Sequence, residues 1–112
     1  MKRFEIWLAS LPVLNNSSVQ HGTRPVVIIS NNTANKYSPV VTVVPLTTKA
    51  KKPMRTHISL YTEDLTCTSF ALCEQILTVD KSRMIKRLDC VDSICDQASI
   101  CHAIQIQLGM AS

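Results

Sequence analysis

Short apolar runs rich in β-branched residues, separated by polar turns, occupy most of the chain. The runs at residues 26–29 and 40–46 are continuous and β-branched, which is typical of strands buried on both faces. We expect these two strands to pair with each other at the centre of a sheet. Residues 4–8, 57–61, 69–76 and 84–88 are shorter and predict further strands. Several short strands joined by polar turns indicate a sandwich or a small barrel.

The end of the chain changes to a helical period. Apolar positions 91, 94, 98, 101, 104 and 108 recur at the spacing of one helix face. Asp89 is suited to cap this helix, and Gly109 is suited to end it. We therefore predict one C-terminal helix of about four to five turns, packed on the β-structure.

Three polar segments are predicted as loops. Residues 15–22 are long and polar enough to form a flap, and flaps of this kind often cover sites. Residues 31–39 contain three asparagines and a proline, which predicts an irregular turn. Residues 49–53 form a basic segment that ends in proline. Lys49, Lys51 and Lys52, together with Arg55, predict a basic rim for phosphates, although such a run is often only a solvated loop.

Composition narrows the class of protein. The 112 residues predict a single domain over 1–112, and 46% hydrophobic with 18% charged residues is typical of a globular fold. A net charge of +4 fits a polyanionic partner but also fits many unrelated domains.

The five cysteines are an odd number, and the N-terminus lacks an apolar signal segment, so we expect reduced thiols in a cytoplasmic protein. No cysteine pair has C-x-x-C spacing and no apolar run approaches 20 residues, so neither a metal site, nor a cofactor, nor a membrane span is predicted.

A series of motifs resembles the MazF/PemK family of toxins over essentially the whole chain. The motifs occur in the family's order: EIWL at residues 5–8, QHGTRPVVI at 20–28, NKYSP at 35–39, VPLT at 44–47, THI at 56–58, EQILTVDKSR at 74–83 and LG at 108–109. The resemblance implies a mainly β fold, a small SH3-like barrel with a C-terminal α-helix, that forms a homodimer. It also implies a type II toxin that cleaves single-stranded mRNA without a metal ion and is bound by a MazE-like antitoxin.

The resemblance assigns catalysis to Arg24 and Thr47. A guanidinium fork suits the phosphate oxygens of a transition state, and a threonine hydroxyl can donate to the same phosphate. An arginine rarely loses its proton, so we interpret Arg24 as a charge stabiliser or proton donor rather than a general base. Composition alone would make Arg24 a surface residue at a loop–strand junction and Thr47 a turn residue.

Substrate contacts are predicted at a second set of residues: Gln20, His21, Thr48, His57, Glu74 and Gln75. An imidazole can stack on a base or share a proton, and an amide can read a base edge. The alternatives are that His57 is a partly buried structural residue and that Glu74 and Gln75 give interior polar support or a dimer contact.

The chain departs from the family pattern at three positions. Val19 stands where relatives often carry glutamate, Leu77 where many carry arginine, and Phe4 where they carry the glycine of an R-G-[DE] start. These changes predict weaker activity or an altered sequence preference. His21, in the same flap as Val19, restores a titratable group near neutral pH, unless it is only an exposed loop residue.

Two other functions compete with RNA cleavage. A CcdB-like gyrase poison is thought to share this barrel, but such poisons rely on an aromatic residue near the C-terminus, whereas this chain ends LGMAS. A catalytically silent barrel that binds RNA or a protein partner is the second alternative. A nuclease assay distinguishes it from an enzyme.

Overall fold

The computed structural model describes residues 1–13, 17–49, 54–61 and 68–112. Parts of the predicted flap and basic rim, including Lys51 and Lys52, lie outside these ranges, as does Cys67. The elements, in chain order, are β1 (Glu5–Leu11), β2 (Gly22–Ile28), α1 (Asn32–Tyr37), β3 (Val40–Thr47), β4 (His57–Leu60), β5 (Ser69–Leu72), β6 (Leu77–Asp80), a 3-10 turn (Lys81–Arg83), β7 (Met84–Cys90) and α2 (Ile94–Gln107).

The strands form one antiparallel sheet in the order β4-β5-β3-β2-β1-β7, with β6 paired to the first half of β3. The predicted pairing of the two β-branched runs is confirmed, because Val27 lies opposite Val44. β3 is the long central strand, since it pairs with β2 and β6 and then, at its end, with β5. No pairing joins β4 to β7 in the described residues, so the sheet is barrel-like but open.

Two apolar cores lie on opposite faces of this sheet. Val44 and Leu46 of β3 pack in the first core with Ile100 and Ala103 of α2. Val41 and Val43, the alternate residues of the same strand, pack in the second core, which also holds Val26 and Ile28 of β2. This alternation follows from the two-residue period of a strand and confirms that the run is buried on both faces.

The segment 31–39, predicted as an irregular turn, contains the helix α1, so that prediction was wrong. Asn31 caps the helix, because its side chain accepts a hydrogen bond from the backbone N–H of Ala34 at 2.8 Å. Asn35 is 2% exposed and donates to the carbonyl of Ser30 at 2.8 Å. Asparagine is favoured both in turns and at helix caps, and the cap is the role found here.

Other boundaries also differ from the sequence expectations. Residues 69–76 are not one strand: β5 ends at Leu72, where a turn is closed by the N–H of Gln75 donating to the carbonyl of Leu72 at 3.0 Å. Asp89, the predicted cap of α2, lies in β7, and Ser93 caps the helix instead by accepting from the N–H of Asp96. Gly109 does follow the helix, with a φ of +73° that favours glycine. Within the described residues no helix has the length and apolar character needed to cross a membrane.

Candidate active site

Arg24 and Thr47 lie side by side at the ends of adjacent strands. The last pair between β2 and β3 is Val26 opposite Pro45, and Arg24 and Thr47 each lie two residues beyond that pair on their own strand. Both residues therefore extend the face of the second core, beyond its last apolar side chains. They line a cleft of about 290 Å³ and a smaller adjoining cavity of about 100 Å³.

One of the three guanidinium nitrogens, Nε, anchors the Arg24 side chain. Its Nε donates to the backbone carbonyl of His21 at 2.8 Å. Nη1 and Nη2 form no hydrogen bond with any described residue, and the side chain lines the cleft. The two terminal nitrogens are therefore available to bind two oxygens of one phosphate.

Thr47 is buried, at 5% exposure, and lines the cleft; its side chain carries one hydroxyl oxygen. That oxygen accepts a hydrogen bond from the backbone N–H of Lys49 at 3.3 Å. A hydroxyl can accept and donate at once, so its proton remains free for a ligand. Thr48 is exposed and lines the smaller cavity, next to Ser69, rather than the main cleft.

The loop of residues 17–21 forms the opposite wall of the cleft, and Gln75 ties this loop to the sheet. The side-chain oxygen of Gln75 accepts from the backbone N–H of Gln20 at 2.7 Å, and its nitrogen donates to the carbonyl of Ser18 at 3.3 Å. The side-chain oxygen of Gln20 is buried and has no hydrogen-bond partner among the described residues. Gln75 does not itself line the cleft, so its contact is with the loop.

His57 and Glu74 form a polar network next to Gln75, the residue that binds the loop of residues 17–21. Oε1 of Glu74 lies 2.9 Å from Nε2 of His57, and Oε2 accepts from the hydroxyl of Thr56 at 2.9 Å. The side chain of His57 is 8% exposed and does not line the cleft. Sequence reasoning missed Thr56, although the THI motif contains it and its hydroxyl completes this network.

The lining of the cleft is cationic. Arg24 and Lys49 contribute positive charges, His21 contributes an imidazole, and no aspartate or glutamate belongs to the described lining. Val19 lies in the wall at 36% exposure and contributes no charge to this surface. Leu77, by contrast, packs against the second core. Arg55 points elsewhere, donating to the carbonyl of Ser112 at 2.7 Å.

The thiol of Cys73, the residue before Glu74 of the polar network, is buried in the first core. Burial raises the pKa of the Cys73 thiol to about 12, and nearby Glu74 and Cys101 act in the same direction. A thiol with such a pKa remains protonated and is a poor nucleophile near neutral pH. No group of three or more histidine, cysteine, aspartate or glutamate side chains in the described ranges has the arrangement of a metal site.

Comparisons with known sequences agree with this geometry. Residues 2–108 match the PemK-like, MazF-like toxin of type II toxin–antitoxin systems. The chain is 41% identical over 113 aligned residues to the Endoribonuclease MazF of Staphylococcus saprophyticus, covering 98% of this chain and 92% of that protein. It is 39% identical to the Endoribonuclease MazF of Staphylococcus epidermidis, with the same coverage.

Solved structures share the fold at lower sequence identity. The MazF of Deinococcus radiodurans superposes with a TM-score of 0.82 at 21% identity, covering 98% of this chain and 97% of that one. A mycobacterial endoribonuclease in complex with its cognate antitoxin gives a TM-score of 0.80 at 23% identity, covering 100% and 98%. Both likenesses extend over the whole sheet and the C-terminal helix.

Proposed function

Because this chain belongs to the family of PemK-like and MazF-like toxins of type II toxin–antitoxin systems, we propose that it is an endoribonuclease toxin that cleaves single-stranded RNA in the cleft of Arg24 and Thr47. The two staphylococcal relatives at about 40% identity are endoribonucleases by name. A cytoplasmic location follows from the substrate, because messenger RNA is translated there.

The observation that carries this proposal is that Arg24 and Thr47 line one cleft whose described lining contains no carboxylate. Arg24, whose two terminal nitrogens bond to none of the described residues, and Thr47, whose hydroxyl accepts one hydrogen bond and can still donate, line the same cleft. Such donors stabilise the charge that develops on a phosphate during cleavage. The cleft volume lies at the lower end of the range of about 300–1,000 Å³ for small-ligand pockets, which suits one unpaired nucleotide and not a stacked duplex.

The reaction that fits these donors uses the substrate's own ribose 2′-hydroxyl. Its oxygen attacks the adjacent phosphorus, the bond from phosphorus to the 5′-oxygen breaks, and the products carry a 2′,3′-cyclic phosphate and a 5′-hydroxyl. Arg24 binds the non-bridging oxygens and Thr47 donates to one of them. No metal-bound water is required in this route, since the nucleophile belongs to the RNA.

Gln20, Thr48 and His21 are the other predicted substrate residues that border the two cavities, and we propose that they contact the nucleotides beside the scissile bond. For His57, Glu74 and Gln75 the contacts favour a different role. Gln75 holds the loop, and Glu74 fixes His57 and Thr56. We propose that these three residues support the loop and strands around the cleft and do not line it.

A homodimer is the proposed assembly. Met54, Leu108 and Met110 are exposed apolar residues, and the bond from Arg55 to Ser112 brings the end of α2 near the start of β4, an edge strand. An edge strand beside exposed apolar side chains is a suitable surface for a second copy. Light scattering should give about twice 12.4 kDa at micromolar concentration, and a monomer would contradict the proposal.

The antitoxin is proposed to be a MazE-like protein with an extended acidic segment. The mycobacterial neighbour was solved with its antitoxin bound, and the cationic lining of the cleft here favours acidic side chains. A segment of this kind would compete with RNA for Arg24 and Lys49. Addition of the cognate antitoxin should therefore prevent RNA from binding.

Substitution of Arg24 tests the proposed function. Arg24→Ala should lower the cleavage rate of a long single-stranded RNA by about 10²- to 10³-fold, the usual cost of losing one preorganised donor. Thr47→Val, which removes a hydroxyl at nearly constant volume, should also slow cleavage. All assays contain EDTA, and the cut ends are identified by mass spectrometry.

Arg3→Ala is the matched control, because it removes the same charge from an exposed residue that donates to Cys101 of α2 and does not line the cleft. Circular dichroism checks that each variant is folded. Full activity of Arg24→Ala, or loss of cutting in EDTA, would contradict the proposal. Binding of RNA without any cleavage by the wild-type protein would favour the catalytically silent barrel.

A further inference from the structure

The proposed reaction needs a group that removes the proton of the 2′-hydroxyl. Arginine does not serve, since its guanidinium group stays protonated, and threonine is too weak a base at neutral pH. Among the described residues that line the cleft, the serines, Val19 and Gln20 also cannot accept this proton. A lysine ammonium group has three N–H donors and no acceptor, so Lys49 does not take this role either. The imidazole of His21 is the remaining group.

We propose that His21 is the general base of this enzyme, an assignment that rests on the proposed RNA cleavage and adds a residue to it. Histidine is the side chain that most often fills this role, because its neutral and charged forms interconvert near neutral pH. Val19, in the same wall, has no titratable group and cannot take this role.

The backbone connects His21 to Arg24 directly. The carbonyl of His21 accepts the hydrogen bond from Nε of Arg24 at 2.8 Å, so the residue that carries the base also orients the phosphate-binding fork. Gln75 fixes the preceding part of the loop through Gln20 and Ser18. These bonds tie the backbone that carries His21 to Arg24 and to Gln75, which serves catalysis by positioning.

The charged groups that surround the loop come from three elements. Arg24 belongs to β2 and Lys49 follows β3, and both line the cleft with His21. Glu74 precedes Gln75, but its two oxygens are engaged by His57 and Thr56. No carboxylate of the described lining therefore competes with His21 for the proton.

The proposed step conserves every proton. The proton of the 2′-hydroxyl passes to a ring nitrogen of His21 while the 2′-oxygen bonds to phosphorus. The bond from phosphorus to the 5′-oxygen breaks, and the leaving oxygen takes a proton from the Lys49 ammonium group. Transfer of the proton from the imidazolium to the lysine through water then restores both groups.

The rate of cleavage as a function of pH tests this assignment. The wild-type enzyme should lose kcat/KM on the acid side of neutral pH, as the general base takes up a proton. His21→Gln should lower kcat/KM by about 10²- to 10⁴-fold at pH 7.5 and should abolish this acid limb. Because the carbonyl of residue 21 makes the bond to Arg24, this substitution leaves that bond in place.

Two further measurements separate a base from a structural residue. Added imidazole should raise the rate of His21→Gln, but not the rate of Arg24→Ala. Introducing Val19→Glu into His21→Gln should restore cleavage with an acid limb displaced to lower pH, since a carboxyl group ordinarily titrates near pH 4.3. His102→Gln, at an exposed position on α2, is the matched control and should match the wild type.

Retention of the acid limb by His21→Gln, or a rate within threefold of the wild type, would overturn the role of His21. The proposed function would still stand if Arg24→Ala were inactive in the same assay. Loss of all cleavage by His21→Gln without rescue by imidazole or by Val19→Glu would also count against the base.

Discussion

Phe4 has a φ of +70°, in the left-handed region that L-residues with a side chain rarely adopt. Two backbone hydrogen bonds hold it there: its N–H donates to the carbonyl of Ile28 at 2.7 Å, and its carbonyl accepts from the N–H of Val91 at 2.8 Å. The ring packs against the first core, beneath the guanidinium group of Arg3 at 4.6 Å. Position 4 therefore joins β1, β2 and the segment before α2 at the cost of an unfavourable backbone conformation.

In regular structure alanine is usually more stable than glycine, and the backbone of Phe4 predicts the opposite order for substitutions at this position. Phe4→Ala and Phe4→Gly both remove the ring, so their difference reports the backbone alone. The left-handed conformation costs an alanine about 1–2 kcal/mol, whereas the greater flexibility of unfolded glycine costs about 0.5–1 kcal/mol. Phe4→Gly should therefore be more stable than Phe4→Ala by about 0.75 kcal/mol, the midpoint of a range of about 0–1.5 kcal/mol, equivalent to a Tm higher by about 3–6 °C.

Thermal unfolding followed by circular dichroism measures the difference. The control is the same pair at Ser99, an exposed position inside α2, where alanine should be more stable than glycine by about 1 kcal/mol. If Phe4→Ala were as stable as Phe4→Gly or more so, residue 4 would not be strained, and the reasoning from its backbone would be refuted.

Two further predictions concern the loop and the N-terminal strand. Gln75→Leu removes two hydrogen bonds to the loop of residues 17–21, worth about 0.5–1.5 kcal/mol each. It should therefore accelerate hydrogen exchange of the Gln20 amide. The control, Gln105→Leu on the exposed face of α2, should leave that exchange rate unchanged. Burial alone would raise the pKa of Glu5, but hydrogen bonds from Trp7, the backbone of Lys2 and Arg87 outweigh it and hold the pKa below its usual 4.5. The stabilisation from Glu5 should then be complete above pH 4.5 and be lost as the pH falls below it. Glu5→Gln should therefore flatten the dependence of Tm on pH in that range. The control, Asp92→Asn, should leave that dependence unchanged.

The central strands were predictable from the sequence because burial on both faces leaves a continuous β-branched pattern. Residues 26–29 and 40–46 are such runs, and β2 and β3 cover most of them. Helix α1 was not predictable, because asparagine serves turns and caps equally well and six residues are too few to establish a helical period. The beginning of α2 was misplaced for a similar reason: Asp89 and Ser93 are both suitable caps, and tertiary contacts decide between them.

The candidate site was also predictable from the sequence only in part. The pairing of Arg24 with Thr47 follows from motifs and strand register, and a departure from the family pattern at Phe4 coincided with a backbone that favours glycine. The tie between Gln75 and the loop was not visible, because a side chain that binds the backbone of a distant segment leaves no local pattern. Nor did the sequence indicate that His57 and Glu74 bind each other instead of lining the cleft.

The central claim is that the ribose of the RNA supplies the nucleophile in the cleft of Arg24 and Thr47. The most direct measurement compares two oligonucleotides in EDTA that differ by one oxygen atom, at the 2′-position of the nucleotide on the 5′ side of the mapped scissile phosphate. The all-ribose strand should be cut to a 2′,3′-cyclic phosphate and a 5′-hydroxyl, and the strand with the single deoxyribose should remain intact at that bond. Cutting of the deoxyribose strand at the same bond would contradict the account.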